Sequence, residues 1–322
     1  MIWIDIYLRT LREIRFYRLP TLWHPISGKE ASPYPNCSIF SVFAPAKRLF
    51  HYFYALLQEK LPNTTTMKKG IFTILVCLAA FSFAGAQKTV GLDHWYNRET
   101  NSKTNEPYHY LWNDSAFSGF SQLGELFSQK GATLQTIGAK PNQTNLNNID
   151  IYIIVDPDTP KESANPNYIG KDEILLLKKW VKNGGVLLLM ANDGPNCEFE
   201  HFNQLAGIFG FHFNPATLNP VINRVWEMGA EINLPDHSLF NDVHKIYLKE
   251  VASIALSGKA TPVLTDGHDH FIAETRFGKG YVMAIGDPWL YNEYIDHALL
   301  PESFENLKAA NNLVELLLNK TN

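Results

Sequence analysis

The chain has 322 residues, with 28 Lys or Arg against 32 Asp or Glu, and its acidic excess is concentrated in residues 87–322, which carry a net charge of −10. This balance argues against nucleic acid or an anionic membrane as a partner. Cys197 is the single cysteine after residue 86, so that part of the chain has neither an internal disulfide nor a cysteine zinc cluster.

Residues 67–86 have the pattern of a secretory signal peptide. Met67 is followed by two lysines, an apolar run and the small-residue end Ala84-Gly85-Ala86. This pattern predicts cleavage before Gln87 and a periplasmic or secreted protein. The apolar run is short for a membrane span of about 20 residues, so we expect no stable span after cleavage.

The position of this signal bears on the residues before it. Because a signal normally stands at the very N-terminus, we interpret Met67 as the true start and residues 1–66 as an unfolded upstream stretch that is not translated. The alternative is a real extension, with residues 70–86 as an uncleaved anchor.

From residue 88 onward, strand and helix patterns alternate, which predicts one domain over residues 87–322. The predicted strands are Lys88–Leu92, Thr133–Ile137, Asp150–Val155, Val186–Met190, Ser253–Leu256, Pro262–Leu264, Phe271–Arg276 and Tyr281–Ile285. The predicted helices are Ser118–Lys130 with Ser118 as N-cap, Lys171–Asn183, Glu198–Phe209 and Asn306–Asn319.

This alternation favours an α/β fold with a doubly wound, mostly parallel sheet. The runs DIYIIV, VLLLM and YVMAI are continuously apolar, as is typical of strands covered on both faces. The turn signal Gly278-Lys279-Gly280 before the last of them predicts an antiparallel edge hairpin.

In such a sheet, ligands bind beyond the C-terminal ends of the strands, and polar or aromatic residues follow four of the predicted strands. Paired carboxylates can do acid–base work when their pKa values are separated, which makes Asp156, Asp193 and Asp287 the candidate catalytic residues. The candidate substrate-binding residues are His94, Trp95, Asp158, Asn192, Asn196, Trp289, Tyr291, Asn292 and Glu293.

Each candidate has a structural alternative. Asp, Asn and Gly are ordinary turn and cap residues, and the aromatic side chains could plug the top of the core. The carboxylates could hold Ca²⁺ or Mg²⁺, and His94 or His201 could join a metal site, although we assign no metal ligand set. His268-Asp269-His270 looks like a metal motif but falls in another predicted hairpin turn, before the predicted strand Phe271–Arg276.

Nucleophile and nucleotide motifs are missing. No G-x-S-x-G elbow, P-loop or G-x-G-x-x-G follows a predicted strand, so no nucleotide cofactor is indicated. Cys197 lies seven residues beyond VLLLM, whereas Ala191 and Asn192 occupy the place of an elbow nucleophile. We therefore interpret Cys197 as a buried or spare thiol.

Several segments carry a family resemblance: GLDHWYNRE, YHYLWND, DIYIIVDPDTP, WVKNGGVLLLMANDGPN and GKGYVMAIGDPWLYNEY. Together they resemble an uncharacterised glutamine-amidotransferase-like domain of Bacteroidetes. That domain is related to the ThuA-like trehalose-utilisation proteins and is found alone or behind unsaturated rhamnogalacturonyl hydrolases. The resemblance covers nearly all of residues 88–319. It implies a flavodoxin-like sheet of the class I glutamine amidotransferase kind and a setting in polysaccharide breakdown.

The chain departs from true class I amidotransferases in two places. It lacks a cysteine near Ala191–Asn192 and a late His-x-Glu pair, where Gly286-Asp287-Pro288-Trp289 stands instead. We therefore expect no glutamine hydrolysis.

Three functions stay open at this point. The first is a carbohydrate-binding or accessory domain for polysaccharide degradation, taking an oligosaccharide or another small polar ligand. The second is a carbohydrate-active hydrolase, lyase or isomerase that uses the strand-end carboxylates, with or without a divalent metal. The third is a protein-interaction scaffold with a vestigial pocket.

Overall fold

The structure, a computed structural model, describes residues 87–321. The expectations for residues 1–66 and for the signal peptide at residues 67–86 lie outside this range. None of the helices within it has both the length and the apolar character needed to cross a membrane.

The predicted α/β class is confirmed. The strands are β1 (Thr89–Asp93), β2 (Thr133–Ile137), β3 (Ile151–Val155), β4 (Val186–Met190), β5 (Phe211–Phe213), β6 (Ala230–Glu231), β7 (Ile246–Tyr247), β8 (Ile254–Leu256), β9 (Thr261–Asp266), β10 (Asp269–Phe277) and β11 (Gly280–Ile285). The α-helices are α1 (Ser121–Gln129), α2 (Gln143–Leu146), α3 (Lys171–Lys182), α4 (Phe199–Ala206), α5 (Asn292–Ile295) and α6 (Asn306–Lys320). Short 3₁₀ turns occur at Gly207–Phe209, Trp226–Gly229 and Ser238–Phe240.

The central sheet has seven strands in the order β2-β1-β3-β4-β11-β10-β9. The pairs from β2 to β11 are parallel. Strand β10 pairs antiparallel with β11 across the turn at Gly278-Lys279, as the sequence predicts, and β9 forms a second antiparallel hairpin with β10 at the other edge. His268 lies in the turn of this hairpin.

Both faces of the sheet are covered, which explains the continuous apolar strands. In β3, Ile151, Ile153 and Val155 belong to one core cluster, and Tyr152 and Ile154 belong to the other. Helices α1 and α6 contribute side chains to the first cluster, whereas α3 and α4 contribute to the second. Each fully buried Leu, Ile or Phe stabilises the fold by about 1.5–3 kcal/mol.

The start of α1 corrects one expectation. Ser118 is not the N-cap: the helix begins at Ser121, and the residue before it, Phe120, makes no side-chain capping bond. The amide of Gln122 is instead bonded by the side chain of Asn292, at 3.1 Å. A distant residue therefore replaces the local cap.

The segment between α4 and β9 forms two small sheets outside the central one. Strand β8 pairs antiparallel with β5, and β6 pairs antiparallel with β7. The strand expected at Ser253–Leu256 is thus present from Ile254 as β8, but it belongs to a separate two-stranded sheet.

Candidate functional site

The carboxyl ends of β1, β3, β4 and β11 are neighbours at one edge of the central sheet. The residues predicted to form a site follow these four ends, and the structure divides them into three groups. One group surrounds Asp156, a second stabilises loops and the core, and the third, represented by His94, lines a cleft beside β1 and β2.

Asp156 is the centre of a buried hydrogen-bond cluster. Its Oδ2 accepts a bond of 2.8 Å from Tyr110 Oη and one of 3.0 Å from Asn192 Nδ2. Tyr291 Oη lies 3.0 Å from Tyr110 Oη. Because the hydrogen of Tyr110 is directed to Asp156, Tyr291 is the donor in that pair. We call these four residues the Asp156 cluster. Tyr110 was not among the site residues predicted from the sequence.

The carboxyl of Asp156 is buried, which opposes its ionisation. Burial raises its pKa well above the usual value, and the nearby carboxylates of Glu162 and Glu99 act in the same direction. The other oxygen of this carboxyl is Oδ1. That atom is buried and has no hydrogen-bond partner among residues 87–321.

The backbone at this cluster has an unusual conformation. Asp156 has a φ of 44°, and the adjacent residues His109 and Tyr110 have φ values of 63° and 51°. Left-handed backbone is uncommon in residues other than glycine and persists where surrounding contacts hold it. These three residues, Asp156 after β3 and His109 with Tyr110 in the segment before α1, therefore mark a place that the fold constrains strongly.

A second set of buried acceptors joins the end of β1 to the end of β3. Asn97 Nδ2 donates to the carbonyl of Asp156 at 2.8 Å, and the amide of Arg98 donates to Asp158 Oδ2 at 3.1 Å. Burial raises the pKa of Asp158 to about 7. Within the described chain, Asn97 Oδ1 and Asp158 Oδ1 are buried without partners.

Asp93 has a structural role at the end of β1. It is the last residue of the strand, and its Oδ1 accepts bonds from the amides of Trp95 and Tyr96 at 3.1 and 2.7 Å. Its Oδ2 accepts the hydroxyl of Tyr152 at 2.5 Å. These bonds fix the turn that carries the chain towards Asn97.

The two other candidate carboxylates lie outside the Asp156 cluster. Asp193 accepts bonds from Asn196 Nδ2 at 2.6 Å and Thr217 Oγ1 at 2.9 Å, which uses both of its oxygens to fix loops. Burial raises the pKa of Asp287 well above its usual value, against the opposing effect of Lys249.

Of the predicted aromatic residues, Trp289 is 1% exposed and belongs to a core cluster. Trp95 is half-buried and packs against the other core cluster. Asn292 is 5% exposed and serves α1, as described above, while the amide of Glu293 donates to the carbonyl of Phe117 at 3.1 Å. These four residues lie at the predicted edge of the sheet, where their contacts support the core and the neighbouring chain segments.

His94 leads to a different part of the same edge. It lines a cleft of about 630 Å³ together with Thr136, the penultimate residue of β2. The remaining lining residues come from the segment between β1 and α1, and they are Asn101, Thr104, Glu106, Pro107, Tyr108, Leu111, Trp112, Asn113, Asp114 and Ala116.

The cleft combines aromatic rings with polar groups. Tyr108 and Trp112 supply the rings, and Asp114, Glu106 and Asn101 supply oxygen acceptors. The sequence prediction missed this segment because it considered only residues directly after strands. The aromatic run Tyr108 to Trp112, placed between a strand end and a helix, was the available signal.

One metal-like arrangement occurs within residues 87–321. The ligand atoms of Glu198, Glu200 and His201 lie within 4.8 Å of one another. Glu198, however, caps α4 by accepting the amide of His201, and its carboxylate lies 3.0 Å from His201 Nδ1. A helix cap accounts for this geometry.

Cys197 is buried at 3% exposure. Burial raises the pKa of its thiol well above the usual value, and the charge of Asp156 acts in the same direction. Such a thiol is a poor nucleophile.

No protein-family model and no curated protein matches the chain. Among solved structures, the mmIFT52 N-terminal domain is similar to 72% of this chain over 97% of its own length, with a TM-score of 0.53 and 14% identity. A cytoplasmic protein from Salmonella typhimurium LT2 has a TM-score of 0.47 and 14% identity, covering 73% of this chain and 100% of that one. A β-galactosidase from Rahnella sp. R3 has a TM-score of 0.41 and 12% identity, covering 79% of this chain and 35% of that enzyme. At 14% identity, the likeness to the mmIFT52 domain shows the α/β fold alone.

Proposed function

We propose that this protein is an exported binding domain for an oligosaccharide, which it holds in the cleft beside β1 and β2. The observation that carries the proposal is the combination of Trp112 and Tyr108 with Asp114 and Glu106 in one cleft of about 630 Å³. A sugar ring can place its C–H face on an aromatic ring and donate its hydroxyl hydrogens to carboxylates. The cleft also lies at the edge where open α/β sheets bind ligands.

The proposal extends to the setting of the protein. The signal pattern at residues 67–86 supports export, and the resemblance to the ThuA-related domain supports an accessory role in polysaccharide degradation, with pectin as one candidate polymer. Both arguments come from the sequence and are independent of the cleft.

The test is binding of the purified protein to a panel of plant and microbial oligosaccharides, measured by calorimetry and by thermal shift. A ligand that binds only the folded state must raise the melting temperature. We expect Trp112→Ala and Glu106→Gln each to weaken binding at least about tenfold, because each removes a contact from the cleft. Tyr168→Ala is the matched control, since Tyr168 is 43% exposed and lies outside the cleft.

Two outcomes would contradict the proposal. One is a panel in which no oligosaccharide binds, and this would favour a scaffold that recognises a protein. The other is binding that survives both cleft variants unchanged.

A second candidate function is a carbohydrate-active enzyme in which Asp156 acts as an acid. The observation that favours it is a buried carboxyl, whose pKa burial raises, held by Tyr110 and Asn192 on left-handed backbone. Groups with strongly perturbed pKa values often belong to active sites. We then expect new products from an oligosaccharide that binds, and loss of turnover in Asp156→Asn but not in Asp172→Asn, which changes an exposed acid of α3. Equal turnover in both variants would exclude this role.

A further inference from the structure

The cleft has a one-sided charge. Its lining includes the carboxylates of Glu106 and Asp114, and none of the described residues that line it is a Lys or an Arg. The basic residue of the lining is His94. Burial lowers the pKa of His94, and the nearby guanidinium of Arg98 lowers it further. At neutral pH the cleft is therefore negative.

The basic groups nearest in sequence lie outside the lining of the cleft. Arg98 is close enough to His94 to lower the pKa of its imidazole, but it is not a lining residue, and its guanidinium carbon lies 6.0 Å from the centre of the Trp95 ring. Lys103 is exposed in the segment that borders the cleft, but it is not among the lining residues.

Further acids lie nearby. Glu99 lies within the same segment, with its carboxylate 2.7 Å from His109 Nδ1. Residues 87–322 as a whole carry a net charge of −10. The acidic excess of this part of the chain therefore has the same sign as the two carboxylates of the cleft.

This charge decides which sugars the cleft can hold. A carboxylate accepts hydrogen bonds but donates none, so Glu106 and Asp114 suit hydroxyl or ammonium donors. A uronate would bring a further carboxylate close to both of them, where the repulsion is strong and only partly screened by salt. Proteins that recognise carboxylates do so mainly with arginine, which the lining lacks.

We infer that the ligand of this cleft is a neutral or amine-bearing saccharide and that the cleft discriminates against uronic acids. The inference rests on the proposed function, and it narrows the pectic setting to neutral side chains rather than the galacturonate backbone. Such discrimination acts through repulsion of the wrong ligand as well as attraction of the right one.

The test uses matched pairs of oligosaccharides that differ only in carrying a carboxylate or a neutral hydroxymethyl group at each sugar. One pair is a galacturonate tetramer and the same tetramer after reduction of its carboxyl groups, and the other is a mannuronate tetramer treated likewise. Calorimetry on the purified protein should show at least about tenfold tighter binding of the reduced member of a pair. The ratio of the two dissociation constants, uronate over reduced tetramer, should shrink at 0.5 M salt because salt screens the repulsion.

Variants of the two cleft carboxylates test whether the discrimination against uronates arises in the cleft. The double variant Glu106→Gln with Asp114→Asn should reduce the ratio at least about fivefold, since it removes the charge and keeps one oxygen acceptor on each side chain. The control Glu125→Gln removes an exposed charge outside the cleft and should leave the ratio unchanged.

The possible results separate the two proposals. Equal or tighter binding of the uronate tetramers would overturn the inference and leave oligosaccharide binding in place. A ratio that the double variant does not change would also overturn it. If none of the four tetramers binds and none shifts the melting temperature, the proposed function fails together with the inference.

Discussion

Asn292 Oδ1 accepts a hydrogen bond of 3.1 Å from the amide of Gln122, 170 residues earlier in the chain. The Nδ2 group of Asn292 also donates to the carbonyls of Asp114 and Ala116, each at 3.0 Å, and to Ser121 Oγ at 2.9 Å. One buried amide therefore joins the segment after β11 to the start of α1 and to the turn that carries Asp114 into the cleft.

Asn292→Ala should lower the free energy of unfolding by about 2–4 kcal/mol, because it leaves buried backbone groups unpaired and removes the cap of α1. Urea denaturation measures this loss. The control Asn147→Ala, at an exposed position, should change stability by less than about 0.5 kcal/mol. Equal stability of the two variants would contradict the capping role.

Tyr110→Phe should lower the free energy of unfolding by about 1–2 kcal/mol. The change removes the donor to Asp156 and the acceptor for Tyr291, while it keeps the ring in its core position. The same urea titration can include Tyr168→Phe, at an exposed position, which should behave like the unaltered protein. If both tyrosine variants matched the unaltered protein, the Asp156 cluster would contribute nothing to stability.

Stability should fall between about pH 4 and pH 7 because of Asp158. Its pKa rises from 3.8 to about 7 on folding, so its contribution is fully present below pH 3.8 and is lost as the pH rises through 7. Asp158→Asn does not ionise and keeps an oxygen to accept the amide of Arg98. Between pH 5 and pH 8 the variant should therefore lose about 1–3 kcal/mol less than the unaltered protein.

The measurement is chemical denaturation of both proteins at the two pH values. Asp93, Asp156 and Asp287 are unchanged in both, so the difference between the proteins isolates Asp158. Parallel pH profiles would mean that the Asp158 carboxyl is not perturbed by folding.

Gly286→Ala should lower the free energy of unfolding by more than about 3 kcal/mol or prevent folding. A Cβ at this position would lie 1.9 Å from the carbonyl oxygen of Ala252. This oxygen belongs to the backbone, so no side-chain rotation can relieve the clash. Gly138→Ala is the matched control, because a Cβ there has no neighbour within 4 Å among residues 87–321. Thermal melts should place the control at or slightly above the unaltered protein, and a normal melt for Gly286→Ala would refute the close approach.

The sequence predicted the central sheet well because the runs around Ile153, Leu188 and Met283 are apolar at every position, which is a strong local signal. It failed where the structure depends on distant partners. The start of α1 is fixed by Asn292 rather than by a neighbouring side chain, and β5 has three residues that gain their pairing only from β8. No local pattern contains that information.

The positions of some candidate site residues could be predicted for the same reason. Asp156 and Asn192 directly follow strands, and the topology of a parallel sheet brings strand ends together whatever the loops do. Trp112 and Tyr108 reach the same edge through a long segment after β1, whose path depends on contacts such as the 3.2 Å bond from Trp112 Nε1 to the carbonyl of Gln135. Sequence spacing does not predict such a path.

Because Cys197 is buried, the labelling rate of its thiol can serve as a probe of local opening. Cys197 is the single cysteine of residues 87–322, and it lies close enough to Asp156 for that carboxylate to affect its thiol. A maleimide or disulfide reagent can modify it only when the loop after β4 opens to solvent. The rate of labelling, read by mass spectrometry of the peptide that contains Cys197, therefore reports how often the interior beside Asp156 becomes accessible, and whether a sugar in the neighbouring cleft slows that motion.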